Sequence, residues 1–193
     1  MGQNKEKREG PLEIAVVGDL AEHESELCDK LLEVEPGGEC LLYFDSPGGS
    51  SYTAISLLTL IAIRHLKATG IVTGECSSAA LWPLAACHRR LVTPISVLLF
   101  HPMRWQSEEQ VQRLEAAEWS RHFSQLEQDM DQLLADFLGL PMDRLTQWMK
   151  PGRYITGQEF AAAGLAELID LKALAARSDT RPNMNRGPEI PRP

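Results

Sequence analysis

The sequence predicts an α/β domain built on a mostly parallel sheet. Apolar runs of strand length at 12–17, 40–44, 70–73 and 96–100 alternate with stretches of helical periodicity. Strands joined by helices at this spacing imply right-handed crossovers onto one sheet. The run Cys40-Leu41-Leu42-Tyr43-Phe44 is apolar without alternation, as a central parallel strand covered on both faces requires. A chain of 193 residues suits one well-buried domain rather than two.

Each element follows from its residues. The first strand, 12–17, closes at Gly18-Asp19. Residues 22–34 carry Leu27, Leu31 and Val34 at helical spacing and predict an amphipathic helix, with a turn at Pro36-Gly37-Gly38. Strand 40–44 runs into a Ser46-Pro47-Gly48-Gly49 turn and then a strongly apolar helix, about 52–65. After strand 70–73 a helix is expected over 78–87. Pro83 sits inside it, where a proline removes an interior hydrogen bond and favours a kink. Strand 96–100 follows. Residues 107–137 read as one long polar-faced helix with Leu114, Trp119, Leu126, Leu133 and Phe137 among its apolar positions, ended by Gly139-Leu140-Pro141. A short helix over 143–148 comes next. Thr156 and Glu159 have the spacing of a capping box, opening a helix that stops at Gly164, and 168–171 is a last apolar segment. The polar residues 1–11 and the proline-rich residues 176–193 read as disordered, leaving a single domain over 12–175.

Composition narrows the function. The net charge is −8 and no long basic run occurs, which argues against a nucleic-acid partner. The longest apolar stretch, 54–63, is too short to span a bilayer. The polar N-terminus has no apolar core of a signal peptide, and Cys28, Cys40, Cys76 and Cys87 show no CxxC spacing, so a reduced cytoplasmic chain is expected. The four thiols read as buried or idle.

Three segments at strand ends carry chemistry: Asp45-Ser46-Pro47-Gly48-Gly49, Gly74-Glu75-Cys76-Ser77-Ser78-Ala79-Ala80 and Phe100-His101-Pro102. A Pro-Gly-Gly turn at the end of a parallel strand lets the backbone bend with positive φ and present N–H groups outward. A serine opening a helix has its oxygen at the positive end of the helix dipole, beside free N–H groups, although Ser77 or Ser78 there also suits a plain N-cap. His101 follows a strand and precedes a proline, in extended chain. Oxyanion donor, nucleophile and general base are the parts of an acyl-transfer site.

These segments resemble the Clp protease proteolytic subunit, the ClpP family of serine peptidases. That family's pattern is a strand, then Asn-Ser-Pro-Gly-Gly, then Gly-x-Ala-Ala-Ser-Met, then a strand ending Met-Ile-His-Gln-Pro. The interval from Gly49 to Ser78 fits it without an insertion. Arg153-Tyr154-Ile155-Thr156-Gly157-Gln158-Glu159, with Gly164-Leu165 and Ile169-Asp170, is similar to the family's closing Arg-Phe-Leu-Ser-Ala-x-Glu segment, so the likeness covers roughly 12–171. The resemblance implies a ClpP/crotonase-like superhelical βαβ core, with the long helix at about 107–138 as its handle. It implies Ser78 as nucleophile, His101 as base, and the N–H groups of Gly49 and Ala79 as oxyanion hole. It implies no metal or organic cofactor. Its partners would be further copies of the chain in a ring or stacked oligomer, a peptide or unfolded-protein substrate, and an AAA+ unfoldase or an active Clp paralogue.

The chain departs from that pattern in three places. The family's third catalytic residue is an aspartate just before the Arg-Phe pair, where this sequence has Gly152. Asp45 or Glu75, flanking the site loops, is the candidate orienting acid in its stead, and Gly152→Asp is expected to raise activity. Only about ten polar residues precede the first strand, where the family has an axial-pore loop and a helix. The Asp-Ser-Pro-Gly-Gly form also occurs in relatives of signal peptide peptidase A, which use a Ser-Lys dyad, and Lys150 is one of two lysines after Ser78. Two alternatives to an active peptidase stand beside it: a catalytically weak or inactive Clp-like scaffold subunit, and a crotonase-type acyl-CoA enzyme.

Overall fold

The computed structural model describes residues 10–106 and 110–178. Most of both expected disordered ends, and the first residues of the expected long helix, lie outside that set. The chain runs β1 (Leu12–Asp19), α1 (Glu24–Glu33), β2 (Glu39–Gly48), α2 (Ser51–Ile63) and β3 (Lys67–Cys76). A 3-10 turn (Ser78–Ala80) leads into α3 (Leu81–Ala85), followed by β4 (Arg89–Val92), β5 (Val97–Phe100), α4 (Arg113–Leu138) and α5 (Met142–Met149). The remaining elements are β6 (Arg153–Thr156), α6 (Gly157–Ala162), β7 (Glu167–Leu168) and α7 (Leu171–Ser178).

Among the described residues the sheet has seven strands. β1, β2, β3, β4 and β7 lie side by side in that order, and all four pairings are parallel. β5 leaves β3 through the single pair Glu75 and Val97, and β6 runs antiparallel to it. The α/β expectation holds, and this is the mixed, mostly parallel sheet of a ClpP-like fold.

The core follows from the apolar runs. Ile14, Val16, Leu42, Phe44 and Val72 from the strands pack with Leu27 and Leu31 of α1 and Leu57, Leu58 and Ile61 of α2, all buried. Phe100 at the end of β5 meets the Trp148 ring edge-on at 5.1 Å, which ties the strand leading to His101 to α5.

Two elements differ from expectation. The helix over 78–87 is a 3-10 turn plus a five-residue α3 that contains Pro83. This proline is the third residue of α3, where a backbone N–H has no intrahelical acceptor to lose. The long helix begins at Arg113 rather than 107. Of its residues only Met130, Leu134, Ala135 and Leu138 are buried, so the C-terminal third is its main anchor, and Leu126 and Glu127 add contacts from its middle.

Candidate active site

The site forms where β2, β3 and β5 end. The β1–β2 register shifts between Val17 and Asp19, and the β2–β3 register shifts between Phe44 and Ser46. Such irregularities break the ladder and re-aim the backbone at strand ends. Ser46 is fully buried and holds the junction. Its hydroxyl donates to the Gly18 carbonyl at 2.6 Å and accepts from Gly48 N–H at 3.1 Å.

Gly48 has φ +106°, and a Cβ there would stand 2.7 Å from Ser78 Cβ and 2.9 Å from Ala79 N. Only a glycine can bring the β2 turn this close to the β3 turn. Ser78 itself has φ +53°, the left-handed region, which costs a non-glycine residue about 1–3 kcal/mol. A sharp, strained strand-to-helix turn of this kind pushes a serine hydroxyl out of the sheet end. Ser77 goes the other way. It is buried, its N–H donates to the Ser46 carbonyl, and its hydroxyl donates to Glu75 at 2.9 Å. The ambiguity between the two serines is thus resolved in geometry: Ser77 is structural and Ser78 faces the cavity. Among the described residues Ser78 Oγ, Gly49 N–H and Ala79 N–H have no hydrogen-bonding partner within the chain.

Gly49, Ser78, Ala79 and His101 all line one cavity of about 160 Å³. Trp82, Met103, Met130 and Met149 give it apolar walls, and Glu127 and Asp131 enter from α4. His101 Nδ1 lies 2.7 Å from the Pro102 carbonyl oxygen. A carbonyl only accepts, so Nδ1 carries the proton and Nε2 keeps its lone pair as a base.

The expected orienting acids lie elsewhere. The exposed Asp45 sets its carboxylate against β3, accepting from Glu75 N–H at 3.1 Å, and Glu75 is engaged by Ser77. Neither lines the cavity, and neither does Lys150, exposed at the end of α5. Gly152 packs against His101, with φ +126° and a would-be Cβ 3.3 Å from His101 Cβ.

Two hydrogen bonds that sequence reasoning missed fasten the site to α4. Trp82 Nε1–H, on the helix that follows Ser78, donates to the Met130 carbonyl at 2.8 Å. Met103 N–H, two residues past His101, donates to Glu127 at 2.8 Å. The signal was present as an acid pair, Glu127 and Asp131, four residues apart and in phase with buried Met130 and Leu134. Burial and the like charge of Glu127 push the Asp131 carboxyl up to about 6, against a smaller opposite pull from Lys150. The three buried thiols are poor nucleophiles. All four cysteines are free, and burial pushes Cys40 up to about 11 and raises Cys76 and Cys87 as well, leaving them protonated at neutral pH.

The sequence is similar to known proteins. The chain is 25% identical over 143 residues to an ATP-dependent Clp protease proteolytic subunit of Bacteroides fragilis, covering 72% of this chain and 67% of that one. It is also 25% identical over 135 residues to the subunit of the same name from Pleurastrum terricola, covering 68% and 67%. The chain thus spans about two thirds of the length of these relatives. The Clp protease family model matches residues 13–171, most of the chain and every residue of the site, and the protein belongs to the Clp protease family.

Proposed function

We propose that this chain is a serine peptidase subunit of the Clp proteolytic type, cleaving short peptides or unfolded chain. The observation that supports it most is the Ser78 turn, strained outward beside two unpartnered N–H groups, in one cavity with a histidine whose tautomer is that of a base. Ser78 Oγ attacks the peptide carbonyl as His101 Nε2 takes its proton. The Gly49 and Ala79 N–H groups hold the resulting oxyanion. The imidazolium gives its proton to the departing amine, and a water activated by the same nitrogen releases the acyl group.

A backbone carbonyl does one of the two tasks of the usual acid. It fixes the tautomer, but it carries no full charge to stabilise the imidazolium. The enzyme is therefore active but slow. In the resting chain no hydrogen bond joins Ser78 to His101 among the described residues, and such bonds often tighten only on substrate binding.

The proposal includes self-association through α4. Trp105, half exposed, stacks on Phe123 at 5.1 Å and meets Trp119 edge-on at 5.9 Å, and Tyr52 bonds His122 at 2.8 Å. This aromatic surface lies on the N-terminal half of α4, where no residue is buried. Phe137, by contrast, packs on the domain's own core. A ring or stacked oligomer enclosing the cavity, cytoplasmic location, and an AAA+ unfoldase or active paralogue as partner complete the reading. No helix among the described residues is long and apolar enough to cross a membrane.

One observation favours a second reading, an inactive scaffold subunit: glycine where the acid would stand, in a backbone conformation closed to other residues. Turnover separates the two. The purified oligomer should hydrolyse short fluorogenic peptides, and Ser78→Ala should reduce this to background. An oligomer that hydrolyses none, while enhancing an active paralogue mixed with it, supports the scaffold.

A further inference from the structure

The cavity's acids do different work. Glu127 is spoken for by Met103 N–H, whereas the Asp131 carboxylate has no hydrogen-bonding partner among the described residues. It is half-buried on the inward face of α4, between Met130 and Leu134 in helical phase. A like-charged neighbour at i−4 costs the helix stability, and a buried acid without a partner costs more. Among the described residues the Asp131 side chain makes no hydrogen bond that would hold the fold. Apolar walls from Trp82, Met130, Met103 and Met149 surround it, and Ser78 and His101 open onto the same space. Walls of this kind take the methylene stem of a long side chain, and a lone carboxylate at their end takes a cationic head.

We infer that Asp131 is the specificity-determining residue of this cavity and selects peptides with lysine or arginine next to the bond cut, the stem lying on Trp82 and Met149 and the head pairing with the carboxylate. This rests on the peptidase reading above. The fixed charges acting on Asp131 are Glu127 on its own helix, which adds negative potential, and Lys150 from the end of α5, which opposes it. Arg104, exposed, and His101 line the same cavity.

The test uses the full chain and a set of peptidyl coumarin amides that differ only in the residue before the cut: arginine, lysine, leucine, methionine or glutamate. Wild type should favour arginine and lysine over leucine by about tenfold or more in kcat/KM, as a charged hydrogen bond allows. In Asp131→Asn that ratio should collapse towards one, and Asp131→Glu should restore part of it. In parallel, benzamidine binding is read by tryptophan fluorescence, and Ser78 reactivity by a fluorophosphonate probe. Benzamidine should bind wild type and be lost from Asp131→Asn. Labelled Ser78 with no cation preference and no benzamidine binding would overturn this inference and leave the peptidase standing. Benzamidine binding that depends on Asp131 without labelling would overturn the peptidase and keep the cation pocket. Absence of both results would overturn both.

Discussion

Gly152 and Asp131 mark where this site departs from a Ser-His-Asp triad. At position 152 the backbone has φ +126°, and a Cβ would press within 3.3 Å of His101 Cβ. An aspartate there would carry strain of about 1–3 kcal/mol and shift the base it was meant to orient. Gly152→Asp should therefore lower Tm and fail to raise activity, which reverses the expectation from sequence; a faster variant of unchanged Tm would contradict this account. Asp131 makes the opposite prediction for stability. Its carboxyl is pushed up to about 6 in the folded chain, against about 3.9 for an unfolded aspartate. Between those values the folded state holds the proton more tightly. Stability is thus lost as pH rises through that window and stays lower above it. Asp131→Asn should raise the stability at pH 7.5 by on the order of 1 kcal/mol once solvent screening of a half-exposed group is allowed for, with a matching rise in Tm, and the gain should shrink towards pH 4. A difference that does not change with pH would mean that Asp131 titrates normally.

The helix α4 reaches both halves of the site, through Trp82 on the nucleophile's side and Met103 on the base's side. Glu127→Ala should free the loop after His101 and slow fluorophosphonate labelling of Ser78 by about tenfold, whereas Glu127→Gln, which still offers an oxygen to Met103 N–H, should retain most of the rate. Equal rates in both variants would make that hydrogen bond incidental. Elements with a strong period were legible from sequence: the buried runs of β2 and β5, the spacing of Leu27 and Leu31 in α1, and the Thr156–Glu159 capping box, in which both reciprocal bonds are present. β4 was not. Its Arg89 and Arg90 disguise a strand, because Arg89 pairs with Glu167 on β7 while Arg90 donates to the Ala85, Cys87 and Leu165 carbonyls. β6 and β7 are short and half exposed, and strands of two to four residues carry no readable alternation. Ser78 and His101 could be read as site candidates because each follows a strand with its own local signal. The Pro102 carbonyl and Asp131 could not, since a backbone acceptor leaves no trace in sequence and a cavity acid looks like any other charge on a polar-faced helix.

In the whole molecule the proposed catalytic residues Ser78 and His101 line one cavity within a single chain, while the N-terminal half of its longest helix has no buried residue. Light scattering at micromolar concentration should give a particle several times the 21.5 kDa chain, and a monomer would end the case for assembly through α4. The central claim is that Ser78 is a nucleophile activated by His101 despite the glycine at 152. It is tested most directly by treating the assembled protein with a fluorophosphonate and locating the adduct by peptide mass spectrometry. The adduct should sit on Ser78, persist in Ser77→Ala, vanish in Ser78→Ala, and form at least about a hundredfold more slowly in His101→Ala. An unlabelled wild-type particle, or labelling that survives Ser78→Ala, would contradict it.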